Sequence, residues 1–215
     1  MKLRNTYHEP LSDCSFCPRL VAYRRENEIL YPHFFNAPVQ SIGSLSAELI
    51  LVGLAPGVKG ANQTGRPFTG DHAGDLLYQT LSVFGFLEGN YKARVDDGLK
   101  LVNCRITNAV KCVPPKNKPI GVEVSRCGQY LASELLNMPN VKVILALGVL
   151  AHGAVLSALG ERKNAKKFGH KKTHSLPNGL MLVNSYHCSR YNTNTGLLTV
   201  EMFEAVFNDI VKIID

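Results

Sequence analysis

Apolar positions along this chain gather into short continuous runs set between longer amphipathic stretches. Four runs stand out: "ELILVGLAP" from Glu48, "LVNCRITNAV" from Leu101, "VKVILALG" from Val141 and "GLMLVNSYH" from Gly179. An apolar run of this kind, bounded by Gly and Pro, predicts a strand buried on both faces, as in a parallel sheet. Between them, apolar residues recur at a helical period over 74–87, 121–137, 149–159 and 200–214. Strands alternating with helices predict an α/β layer fold with a mostly parallel sheet. Residues 1–45 show neither period and read as an irregular or helical preamble. No Pro- or Ser-rich linker divides the chain, so residues 1–215 are expected to form a single domain.

In such sheets ligands bind beyond the carboxyl ends of the strands. Residues 53–71, 107–115 and 185–196 are expected at those ends. The first belongs to "LVGLAPGVKGANQTGRPFTGDHAG", Leu51 to Gly74, a strand running into a Gly-rich loop that offers Arg66, Phe68 and Asp71 before a helix. It is not a Walker phosphate loop, because no Lys-Ser/Thr follows its last Gly, and it lacks the glycine spacing of a dinucleotide fingerprint. It is also long, about 20 residues, and long loops inside compact domains tend to be functional.

Composition narrows the partner. The 215 residues carry a formal net charge of +7, which favours nucleic acid over membrane. No apolar run approaches the roughly 18 residues of a membrane span, and "MKLRNTYHEPLSDC" lacks a signal-peptide core. A cytoplasmic location is expected, where structural disulfides are rare. The six cysteines then need another explanation. Cys14 and Cys17 form a C-x2-C pair, and Cys112 and Cys127 a C-x14-C pair. Four thiolates gathered in space hold zinc or a 4Fe–4S cluster. The wide second spacing leans away from a zinc ribbon, and four ordinary buried thiols are the alternative. Cys104 and Cys188 read as small core or site-lining residues.

Three segments, "GLAPGVKGANQTGRPFTGDHAG", "ITNAVKCVPPKNKP" and "YHCSRYNTNTGLLT", resemble the type B, or family 5, class of the uracil-DNA glycosylase superfamily. The cysteine order is similar to the cluster ligands of family 4 and family 5, and "CPRL" and "YPHFFNAPV" also look like the family. The resemblance implies a three-layer αβα fold around a four-stranded parallel sheet. It implies excision of uracil, and of other deaminated bases such as hypoxanthine, from DNA by monofunctional hydrolysis after base flipping. It implies a 4Fe–4S cluster on Cys14, Cys17, Cys112 and Cys127, and action as a monomer bound to the nucleoid.

By the same resemblance, the base is held by Gly53, Leu54, Ala55, Phe68, Asn108 and His187. Phe68 would supply a stacking face, Asn108 an amide, and His187 a hydrogen bond to the departing base. Asp71 stands in "TGD", where a carboxylate orients water and stabilises charge on the sugar. The position of Leu54 carries no ionisable side chain, which leaves Asp71 to activate water. Asp71 also reads as a helix N-cap and Asn108 as a turn residue. Arg66, Ser189, Arg190, Tyr191, Asn192, Lys166 and Lys167 are expected to contact DNA. Arg66 would either bind phosphate or brace the loop through a carboxylate, and Tyr191 be a wedge or a packed ring. Glu161–His174, with six Lys/Arg, is a candidate phosphate-contacting loop. A non-catalytic iron–sulfur or zinc nucleic-acid-binding module is the competing function; it leaves "TGD" and "YHCS" unexplained.

Overall fold

The computed structural model describes residues 6–215. In chain order its elements are α1 (Pro18–Leu30), β1 (Ile42–Gly43), β2 (Leu49–Gly53), α2 (Ala61–Thr64), α3 (His72–Val83), β3 (Leu87–Glu88) and β4 (Lys100–Leu101). There follow β5 (Cys104–Asn108), α4 (Gly121–Leu136), β6 (Val143–Leu147), α5 (Val149–Ala158), β7 (Thr173–Ser175), β8 (Met181–Ser185), α6 (Arg190–Asn194) and α7 (Val200–Ile214).

The main sheet has six strands in the order β1-β5-β2-β6-β8-β7, not the expected four. The inner four are the apolar runs of the sequence, mutually parallel. The additions are the antiparallel edge strands β1 and β7. At two and three residues they are too short to show a period, and short strands of this kind blunt a sheet edge. The run from Leu101 is also broken. Asn103 has a φ of 48° and hands the chain from β4, in a separate two-stranded sheet with β3, to β5.

Alternation along the inner strands sorts the core into two layers. Leu49 and Leu51 of β2, with Val143 and Leu145 of β6, pack against Leu77 and Leu81 of α3 and Phe203 and Phe207 of α7. Ile50, Val52, Ile144 and Ala146 point the other way, onto Leu131 and Leu135 of α4 and Val155 and Leu156 of α5. Each large apolar side chain so buried contributes about 1.5–3 kcal/mol. Because β2 pairs with β5 on one side and β6 on the other, the crossovers diverge and open a crevice at the carboxyl ends.

A third apolar cluster joins Leu20 of α1 to Val110, Cys112, Cys127 and Tyr130. Beside it lies a buried ionic set. Arg105 donates to Glu134 (2.5 Å) and Tyr7 (2.5 Å), and Lys111 donates to Thr107 (2.5 Å) and Ser41 (2.6 Å). These contacts tie the N-terminal strap to β5 and α4.

Candidate active site

Three strand ends converge in the crevice. Gly53 stands opposite Asn108 in the parallel register of β2 and β5. A Cβ on Gly53 would lie 2.3 Å from Asn108 Oδ1 and 2.5 Å from Phe68 Cζ, so only glycine lets the amide and the ring approach this closely. Leu54 and Ala55 continue from there, with Val110 N–H donating to the Leu54 carbonyl (2.9 Å). Phe68 packs its ring at 6.0 Å and 28° from His187, which follows β8. Gly53, Leu54, Ala55, Phe68, Asn108 and His187 are therefore brought to one end of the sheet.

Burial holds the His187 imidazole down to about 4, so it is neutral at pH 7. Its Nδ1 is buried without a hydrogen-bond partner among the described residues. A buried polar atom left this way costs about 1–3 kcal/mol, which a ligand would recover. Asn192 donates its Nδ2 to the His187 carbonyl (2.8 Å), and Ser189 Oγ accepts from Asn192 N–H as the N-cap of α6. These two side chains are thus engaged in holding the loop that carries His187. Arg190 and Tyr191 face outward, Tyr191 at 74% exposure.

Asp71 is the helix N-cap of one reading, and its second oxygen is left facing a cleft. Its Oδ1 accepts from Gly74 N–H (3.1 Å) and caps α3. Its Oδ2 lies where a Cβ on Gly60 would come within 2.4 Å, and faces an open cleft of about 510 Å³. Burial raises the carboxyl above its ordinary value. Across the cleft stands Asn117; a Cβ on Gly57 would lie 3.6 Å from Asp71 Oδ2 and 3.9 Å from Asn117 Oδ1. Two glycines thus leave a space between two polar oxygens. Sequence reasoning missed Asn117, although it lies in "PPKNKP"; it is exposed on the cleft rim, in a turn where Lys116 and Asn117 both have left-handed φ values (55° and 54°).

Arg66 does not reach out to DNA. It is 7% exposed and forks onto Asp97, with both N–O distances 2.7 Å. Its guanidinium lies 5.5 Å and 5.7 Å from the centroids of Tyr78 and Tyr91, which stack on each other at 4.4 Å. The loop-bracing alternative is the one observed. Phe68 itself has a φ of 52°, a strained conformation for a bulky residue. Tyr91 donates to its carbonyl (3.3 Å) and Tyr78 to the Pro67 carbonyl (2.7 Å). A Cβ on Gly74 would lie 1.9 Å from the Phe68 carbonyl oxygen, so α3 also fits tightly against this turn. Nothing in the irregular sequence of 87–101 signalled that it supplies Tyr91 and Asp97 as the brace.

Lys166 and Lys167 line an adjacent cleft with Lys163 and the amino ends of α4 and α5. The Lys166 carbonyl is 2.9 Å from His152 Nε2, and the Lys167 carbonyl 3.1 Å from His174 Nε2, so the basic loop is pinned by its backbone. Thr173–Ser175 within it form β7, and Lys171 pairs with Asp209 at 3.6 Å.

Cys14, Cys17, Cys112 and Cys127 line one small pocket on the side of α1. Among the described residues no three His, Cys, Asp or Glu side chains stand in an arrangement for a single metal ion. Arg24 is buried beside the thiols and donates to the Cys14 carbonyl (2.7 Å) and to Cys112 Sγ (3.6 Å), with no carboxylate partner among the described residues. Lys111 N–H donates to Cys127 Sγ (3.3 Å). Burial pushes the Cys112 thiol up to about 12 and that of Cys127 to about 11. Cys104 and Cys188 are fully buried.

The carboxyl ends of a parallel α/β sheet thus hold a strained aromatic ring, an amide and a neutral imidazole, and the loop after the first inner strand ends on a cleft-facing carboxylate. The chain belongs to the uracil-DNA glycosylase superfamily, whose family model, described as "Uracil DNA glycosylase superfamily", matches residues 40–211. It is 41% identical over 215 residues to the type-5 uracil-DNA glycosylase of Thermus thermophilus, covering 98% of both chains. It is 40% identical over 200 residues to that of Pyrobaculum aerophilum, covering 91% of this chain and 87% of the relative. A type-4 uracil-DNA glycosylase of Pyrobaculum aerophilum is 34% identical over 166 residues, 77% of this chain and 69% of that protein. No described helix is long and apolar enough to cross a membrane.

Proposed function

We propose that this protein is a monofunctional DNA glycosylase that excises uracil, and other deaminated bases such as hypoxanthine, from DNA. The observation that carries the reading is the approach of Phe68 to Asn108 across Gly53 and to His187 at one end of the sheet, with Asp71 facing the cleft at the end of the loop that carries Phe68. The target base leaves the stack at a cost of a few kcal/mol and lies against Phe68, with Gly53, Leu54 and Ala55 as backbone wall. Asn108 reads its edge. Neutral His187 donates a hydrogen bond as the C1′–N bond breaks and its electron pair moves onto the base. Asp71 Oδ2, with Asn117 opposite, orients the water that adds to C1′ and takes its proton, leaving a free base and an abasic sugar. Arg190, Tyr191, Lys166 and Lys167 lie outward to meet the flanking DNA, whereas Ser189 and Asn192 hold the loop.

A single-turnover reaction on a uracil-containing oligonucleotide, split into samples with and without hot alkali, tests this. Strand scission only after alkali is expected. Scission without alkali would require a lyase step, and no excision at all would leave a binding module. The pH profile separates the two catalytic groups. Because His187 stays neutral down to about 4, it is expected to contribute no limb through the ordinary imidazole range. The rate should fall toward acid as Asp71, raised by burial, takes up a proton. An acid limb that persisted unchanged in Asp71→Asn would refute this division.

The four thiols and the buried Arg24 fit an anionic thiolate-bound group, and we assign a 4Fe–4S cluster to Cys14, Cys17, Cys112 and Cys127. When bound, such a cluster supplies a covalent tie between the N-terminal segment and the chain after β5. Protein purified without air should be brown, with broad absorbance near roughly 400 nm, as thiolate-bound iron gives. One zinc and no iron per chain would overturn the assignment. Substitution of Cys14 by serine should lower stability before it alters the intrinsic chemistry.

A further inference from the structure

The segment "YPHFFN" is used by nothing in the mechanism above, yet it is locked beside the catalytic cleft. Tyr31 closes α1, with its N–H donating to the Asn27 carbonyl (2.7 Å). Its own carbonyl accepts from Asn36 Nδ2 (2.8 Å) and Phe34 N–H (3.0 Å). Asn36 is gripped in turn by Asn62 Nδ2 (2.9 Å), and Phe35 N–H donates to the Gln63 carbonyl (3.1 Å). The turn is therefore fixed to α2 and to the Gly-rich loop. Phe34 stacks on the Tyr31 ring at 4.7 Å and 11°. The cleft that Tyr31 lines is the one faced by Asp71, Gly57, Gly60, Lys59 and Asn117.

We propose that Tyr31, backed by Phe34, is a stacking platform for the base next to the excised one in an unpaired strand. This rests on the glycosylase reading and adds a second base subsite to it. The target base has its own aromatic partner in Phe68, which belongs to the inner core layer and does not line this cleft. The cleft of about 510 Å³ exceeds what water positioning needs and falls in the range of small-ligand sites. Lys59 on its rim is exposed and supplies the charge for a phosphate. A rigid ring costs little entropy to use, and stacking tolerates any base because every base presents a π-face.

The test uses single-stranded oligonucleotides with one uracil, whose neighbour on the 5′ or the 3′ side is adenine or an abasic spacer. The readout is the enzyme concentration giving half-maximal single-turnover rate. For the wild type, the spacer on one side should raise it about 30-fold, the middle of the range for one base on one ring. Tyr31→Phe should keep that dependence. Tyr31→Ala and Tyr31→Leu should be weakened with adenine present and indifferent to the spacer, Leu preserving bulk without the π-face. Equal flank dependence in the wild type and Tyr31→Leu would overturn the proposal and assign Tyr31 to packing. Should Tyr31→Ala fail to fold, the comparison of Tyr31→Leu with Tyr31→Phe decides alone. Failure of the wild type to excise uracil from any oligonucleotide would instead defeat the glycosylase reading.

Discussion

Replacing His187 by alanine is expected to slow single-turnover excision of uracil by about 100- to 1,000-fold, roughly 2.7–4 kcal/mol of transition-state stabilisation, the size found for loss of one oxyanion donor. DNA binding should change little. The expectation comes from the half-buried, neutral ring and its buried Nδ1, which has no partner among the described residues and is set for a neutral donor rather than for a cation. Base dependence then separates the roles. A uracil anion accepts hydrogen bonds at its oxygens, whereas a departing purine is helped by ring protonation. His187→Ala should therefore shift the ratio of uracil to hypoxanthine excision. Asp71→Asn should slow both alike, because water and sugar are common to the two reactions. Rates for the wild type and both variants on the two substrates check this. Wild-type rates in Asp71→Asn would leave that residue as a helix cap and pass water positioning to the asparagines.

The second large effect concerns stability. Asp97→Ala should cost about 3–5 kcal/mol, because it leaves the buried Arg66 guanidinium without its carboxylate. For a chain of this length that lowers the melting temperature by about 6–20 °C. The pH dependence follows from linkage. The Arg66 fork holds the Asp97 carboxyl well below the usual carboxylate range. Its stabilisation is thus complete above the unfolded value of about 3.9 and is lost as pH falls from there toward the folded value. Urea titrations of the wild type and Asp97→Asn should accordingly differ most at neutral pH and converge below about pH 4. A constant gap across that range would mean the fork contributes through shape rather than charge.

Much of this architecture is legible in the chain. Residues Leu49–Gly53, Val143–Leu147 and Val200–Ile214 declare themselves, because burial on both faces or on one helical stripe leaves a periodic trace. The edge strands leave none, since two or three residues cannot display a period. The site shows the same division. Asn108 and His187 stand at or just past strand ends and Asp71 closes the loop after another, and all three are residue types capable of chemistry, so position and type agree in nominating them. Asn117, Tyr91 and Asp97 act through tertiary approach: a left-handed turn sets the first on the cleft rim, and the stacked tyrosines around Arg66 recruit the others. Sequence patterns do not encode such approaches. Arg66 shows the hazard, for a basic residue in a functional loop suggests phosphate until its buried partner, 31 positions downstream, is seen.

The brace around Phe68 bears on how fast damage is found. An enzyme that assembles its pocket around each nucleotide must spend loop-closure time on every undamaged one it samples. Here the ring is fixed by Tyr78, Tyr91 and the Arg66–Asp97 fork, so its ordering entropy is spent when the chain folds and not at each encounter. With Phe68 in its proposed role, dwell time per nucleotide would be governed by how readily a base swings out of its stack. Mispaired and unpaired bases swing out most easily, so such a pocket would filter by local duplex weakness before it tests chemical identity.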